Sequence, residues 1–192
     1  MHPVESLGLF PLHTVLVPGA ALGLRVFEPR YLDLIRDCGR QGRGFGVCMI
    51  IDGEEVGAPV TAAAYGTEAV IEDFGSGDDG LLTLRVRGTR RFHIQRVRVR
   101  DNGLQVADVV WCEAETPEPV RPEHALLATL LRQILEQVGG EHAKAPKARF
   151  DDASWVGWRL AELLPMPDEQ RQGLLQLDDP HERLQQVLSL LP

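Results

Sequence analysis

DGLLTLRVRGTRRFHI, residues 79–94, reads as two strand segments around a glycine. Leu82, Leu84 and Val86 alternate with Thr83, Arg85 and Arg87, the period-two pattern of a strand with one buried and one wet face. Gly88 reads as a turn. Phe92 and Ile94 then share an inward phase, while Val97 and Val99 follow one residue out of step. Both pairs face inward only if the strand bulges near Gln95. Just upstream, Gly75 to Gly80 spells GxGxxG by letter but lies between two strands and carries Asp78 and Asp79 where a phosphate would sit. A dinucleotide site needs a helix N-terminus there, so the string reads as a hairpin loop.

Working outward, residues 14–17, 22–27, 45–51, 62–74 and 104–111 are further apolar runs punctuated by Gly, Pro or Asp, and each is expected to be a strand. One helix interrupts them. It starts at Glu28 and Pro29, since proline suits a first turn whose N–H has no helical partner. Tyr31, Leu34, Ile35 and Cys38 form its buried stripe. From residue 113 to 122 the composition shifts to Glu, Thr and Pro, and the prolines keep the chain extended. The domain boundary is placed there, giving 1–116 and 117–192. Beyond it Leu126, Leu127, Leu130, Leu131, Ile134, Leu135 and Val138 recur at helical spacing. A second helix is capped by Asp152, with Val156, Leu160, Leu163 and Leu164 inward, and two shorter helices cover 168–177 and 180–191, the last capped by Asp179. Trp155 and Trp158 fall off the aliphatic stripe of the second helix. They are expected to pack against the first domain, or to stay open as anchors for an extended peptide.

A length of 192 residues with 44 % hydrophobic and 25 % charged residues is ordinary globular composition. The net charge of −8 argues against a general binder of nucleic acid, because a phosphate backbone would be repelled at long range. Cys38, Cys48 and Cys112 are widely spaced and form no CxxC pair, a usage that suits a reducing cytosol. The apolar stretch 7–24 is broken by Pro11, His13 and Pro18, so no membrane span is expected, and its flank lacks the basic residues of a secretory signal. A cytoplasmic location is the expectation.

Motifs for chemistry are missing. Neither lysine, Lys144 or Lys147, follows a glycine, so no P-loop exists; no GxSxG is present. The histidines His2, His13, His93, His124, His142 and His181 form no HExxH or paired spacing with each other or with cysteine. Asp151 with Asp152 and Asp178 with Asp179 precede helices, where capping explains them. The expectation is a protein without catalytic residues, metal or cofactor. The strongest charge feature is the run Arg85, Arg87, Arg90, Arg91, Arg96, Arg98 and Arg100. Arg85, Arg87, Arg96 and Arg98 make a candidate basic face, which either binds phosphates or acidic peptide, or pairs across strands with acids such as Glu68, Glu72 and Asp108.

Taken in order, the motifs resemble the Lon protease N-terminal domain family. The segment FPLHTVLVPGAALGLRVFEPRY, residues 10–31, is similar to that family's opening, where a proline-leucine pair, an apolar strand and a proline-glycine turn lead into a first helix. FGVCMI at 45–50, YGTEAVIEDF at 65–74 and DGLLTLRVRGTRRFHI follow in the family order, and LLPMPDEQRQGLLQLDDPHERLQQVLSLL at 163–191 is similar to its helical end. The resemblance implies an α+β fold, a PUA-like β pseudo-barrel with one inserted helix followed by a C-terminal helical bundle. It implies a free-standing, non-catalytic module that binds unfolded or apolar polypeptide; Trp155 and Trp158, singled out by their place on the second helix, are the candidate contacts. Expected partners are polypeptide clients or a separate protease. The alternative is an RNA-binding PUA-like protein using the arginine-rich face.

Overall fold

The computed structural model describes residues 2–57 and 60–192. The chain divides into two compact units, Met1–Cys112 and Glu113–Pro192. The division falls a few residues before the expected boundary at 116, and Glu115, which lies between the two, bonds to helices of the second unit.

Among its described residues the first unit holds six strands and a helix: β1 (Val4–Leu12), β2 (Ala21–Val26), α1 (Pro29–Gln41), β3 (Phe45–Asp52), β4 (Thr61–Ser76), β5 (Leu82–Val99) and β6 (Gln105–Trp111). They order as β2-β5-β4-β3-β1-β6, and β5 also pairs with β6, so five of the strands close into a ring with β2 attached outside it. β1 runs parallel to β3 and antiparallel to β6. Around Phe92, Leu7, Leu9, Cys48, Ala107 and Val109 fill the ring's interior. This is a mixed α/β architecture built on one six-stranded sheet.

Several expectations are corrected here. Residues 14–17 are not a strand: Leu16 and Val17 are buried, but their backbone serves side chains and turns, with the Leu16 carbonyl accepting from the Thr67 hydroxyl at 2.6 Å. Gly88 makes no turn. β5 runs through it without interruption, and a Cβ there would collide with the Val17 carbonyl and lie 3.1 Å from Leu16, so the glycine permits a close crossing. The bulge at Gln95 exists, since the register with β6 shifts between Ile94 and Arg96. It does not turn Val97 and Val99 inward, and both are exposed.

The second unit contains a 3₁₀ turn (Pro122–His124) and α2 (Ala125–Val138), α3 (Lys147–Phe150), α4 (Ala153–Leu163), α5 (Asp168–Leu175) and α6 (Pro180–Leu190). Asp152 and Asp179 cap α4 and α6 by accepting from the backbone N–H of Ser154 and His181. On α2 only Leu127, Leu131 and Leu135 are buried; Leu126 and Val138 are exposed, so the wet face is wider than the leucine count implied. On α4 the buried positions run almost all round, from Ala153 through Val156–Ala161, whereas Leu163 and Leu164 are only half-buried.

Candidate functional site

A groove of about 730 Å³ opens in the first unit between the end of α1 and the β4–β5 ribbon. Its lining is mostly apolar: Ile35 and Cys38 from α1, Val70, Ile71 and Phe74 from β4, and Leu82 and Leu84 from β5. Local sequence explains each wall. Gly42 ends α1 in the left-handed conformation (φ 61°), returning the chain toward β3. Gly44 then passes so near β4 that a Cβ would press on the Ala69 carbonyl and lie 2.9 Å from Glu68 Cγ. On β4 the register with β5 shifts between Ile71 and Asp73, so Ile71 opposes Val86 and Phe74, three positions on, opposes Leu84, only two positions from Val86. That bulge puts two apolar side chains on one face where strict alternation would split them.

Phe74 is 75 % exposed and Val70 40 % exposed. Large apolar side chains left open beside a concave apolar wall mark a surface built to be covered. One end of the groove is polar: Glu68 accepts from Thr89 Oγ1 at 3.1 Å and from Arg90 Nε at 3.0 Å, and the Arg90 guanidinium stacks 3.5 Å above the Trp111 ring. The Cys38 thiol, which gives its proton toward the Gly44 carbonyl, is pushed up to about 11 by burial, against the pull of Arg43. Cys48 in the core is pushed up to about 12 by burial. Both are therefore neutral and apolar near neutral pH. Iodoacetamide at about pH 8 should leave Cys38 and Cys48 unlabelled in the folded protein while labelling both after urea unfolding, because only the thiolate reacts. Peptide mass spectrometry reads this, and rapid native labelling of Cys38 would show the groove wall to be wet.

A smaller groove of about 400 Å³ lies along β2, between Leu22, Leu24, Phe27, Tyr31 and Val56, with Arg25, Glu28 and Glu55 at its rim. Among the described residues no cluster of three His, Cys, Asp or Glu side chains is arranged to hold a metal, and no helix is long and apolar enough to cross a membrane.

The sequence-derived candidates fall elsewhere. Arg85 and Arg87 share Glu72, at 3.5 and 3.0 Å, and these guanidinium groups hold the Glu72 carboxyl below the usual carboxylate range, the Arg87 hydrogen bond foremost. Arg98 bonds Asp108 at 2.6 Å, while Arg96 stands exposed. Three of the four arginines thus face carboxylates on neighbouring strands. In the helical unit Trp158 is buried: its indole N–H donates to Glu115 at 2.8 Å and the Arg183 guanidinium covers its ring at 3.5 Å. As a peptide anchor it would have to leave both. Trp155 is half-buried, edge-on to Phe150 and His142. Sequence reading passed over Val70 and Phe74; the available signal was Phe74 falling out of the alternating phase after Glu72 and Asp73.

Comparison with known proteins places this geometry in context. The sequence model described as the ATP-dependent protease La (LON) substrate-binding domain matches residues 6–192. A crystal structure of a Lon N-terminal domain protein from Xanthomonas campestris is 58 % identical, with TM-score 0.85 over 98 % of this chain and 99 % of that one. The N-terminal domain of Mycobacterium avium complex Lon protease shares the fold at 16 % identity, with TM-score 0.70 over 96 % of this chain and 97 % of that one. Among curated proteins, cereblon from Gallus gallus is 25 % identical over 83 % of this chain and 35 % of its own length. Cereblon from Danio rerio is 28 % identical over 61 % of this chain and 28 % of its own. The chain spans about a third of the length of these curated relatives.

Proposed function

Because the chain belongs to the ATP-dependent protease La (LON) substrate-binding domain family, we propose that it is a non-catalytic module that holds unfolded or apolar polypeptide in the groove beside Phe74. The observation that carries this reading is the exposed Phe74 ring over a wall of Ile35, Ile71, Leu82 and Leu84. An aromatic side chain at the edge of an apolar concavity supplies the large contact area on which polypeptide recognition depends. The closed ring of strands supports reading this unit as a PUA-like pseudo-barrel, and the four helices α2, α3, α5 and α6 that touch α4 support reading the second as a bundle. The partners of such a module are polypeptide clients or a protease that receives them.

The test is fluorescence anisotropy with labelled, reduced and carboxymethylated α-lactalbumin, which cannot fold. Phe74→Glu should weaken binding by about tenfold or more while leaving the melting temperature within a few degrees, since it truncates contact at an open surface. Raising salt from about 50 to 200 mM should change the parent's affinity by less than about threefold, whereas an RNA oligonucleotide held through about six phosphates would lose roughly a thousandfold. A Phe74→Glu variant that binds as the parent does sinks the groove assignment.

A further inference from the structure

One wall of the groove is also an unpaired strand edge. β3 pairs with β4 only as far as Ala69, whereas β5 follows β4 on to Ser76. Over residues 70–76 the other edge of β4 therefore has no strand beside it among the described residues. Residues 72–76 are exposed, and the Phe74 backbone N–H donates to Oδ1 of its own neighbour Asp73 at 2.9 Å. Soluble proteins usually cover or charge such an edge, because its open N–H and C=O groups template pairing with another chain. Here Glu72 is engaged by Arg85 and Arg87 on β5, Asp73 stands exposed at the middle of the stretch, and Val70 and Phe74 present apolar side chains to the groove that runs alongside.

Resting on the substrate-binding reading above, we propose that the polypeptide is captured by strand addition. An extended segment lies along residues 70–76, exchanges backbone hydrogen bonds with β4, and sets alternate apolar side chains against Ile35, Leu82 and Leu84. Backbone pairing is indifferent to sequence and the groove asks only for apolar side chains at every second position, a recognition suited to varied unfolded chains. Arg43 lines the groove at the Val70 end and Asp73 stands exposed further along the edge, so a segment with an acidic residue toward the Val70 end and a basic one beyond it is favoured. A second copy fits worse. Symmetric antiparallel pairing centred on the open stretch sets Asp73 against Asp73, and like charges directly opposite destabilise a pair.

The probe is a short fluorescein-labelled peptide of alternating valine and threonine between a glutamate and a lysine, in two further versions N-methylated at odd or at even positions. In strand addition only alternate peptide N–H groups face β4. One methylated version should therefore lose about tenfold or more in affinity, and the other should stay within about twofold of the parent. If the parent peptide binds and Phe74→Glu weakens it, yet both methylated versions bind equally, strand addition is overturned and the groove reading survives. If the parent peptide does not bind at all, both fall. A protein that sediments as a dimer, and that Phe74→Glu renders monomeric, assigns the edge to a second copy and also overturns the proposal.

Discussion

Glu115→Ala should destabilise the helical unit by about 3–5 kcal/mol, because it takes a paired carboxylate away from a buried guanidinium. Arg183 is fully buried, and Glu115 pairs with it at 2.6 Å. The same carboxylate accepts from the Ser154 hydroxyl at 2.6 Å and from the Trp158 indole at 2.8 Å, so one side chain satisfies three donors on two helices. Arg183 also donates to the carbonyls of Leu174 and Leu177, which supply dipoles rather than charge. Removing the acid leaves the cation in a low-dielectric interior, and the cost of that desolvation dominates. A double variant, Glu115→Ala with Arg183→Met, should recover most of the loss, since an apolar replacement of a buried pair is often close to neutral. Urea unfolding followed by helical circular dichroism measures all three proteins. Should Glu115→Ala unfold at the parent's midpoint, the pair is not buried as described.

Phe92→Ala should cost the first unit about 3–5 kcal/mol, toward the upper end of that range. Phe92 has no exposed surface and stands edge-on to Trp111, with centroids 6.1 Å apart. Its ring fills a notch made by two glycines: a Cβ on Gly66 would lie 2.5 Å from Phe92 Cζ and one on Gly46 2.8 Å from it. Backbone lines that notch, and backbone cannot collapse into a cavity as side chains do, so the hole left by alanine stays open. Phe92→Leu retains most of the volume and should lose appreciably less, about half as much or below. A denaturant midpoint unmoved by Phe92→Ala would contradict the placement of the ring in the core.

Signals that act within a turn or two of chain were legible in the sequence. Pro29 after Glu28 starts α1, and Asp152 and Asp179 cap their helices through their own neighbours' N–H groups, contacts that need no distant partner. The alternation at Leu82, Leu84 and Val86 marks β5, and Phe92 takes its inward phase from the same pattern. β1 was not legible: Glu5, Ser6, Gly8 and Pro11 break every local strand pattern in it. Its strand state comes from β3 and β6, which hold it from both sides across long sequence separations.

The acidic balance, the starts of α1, α4 and α6 and the inward face of β5 were thus set by residue types and their spacing. Which charges would be buried was not, for an arginine on a helix or strand looks the same whether it ends in water or, like Arg183 and Arg159, inside. The candidate site also belongs to tertiary structure alone. Phe74 is open because β3 stops pairing at Ala69, because a bulge turns Phe74 to the side of Ile71, and because α1 ends at Gly42 to form the opposite wall. Each of these depends on where separate elements meet, and a side chain's exposure is a property of that meeting rather than of its neighbours in sequence.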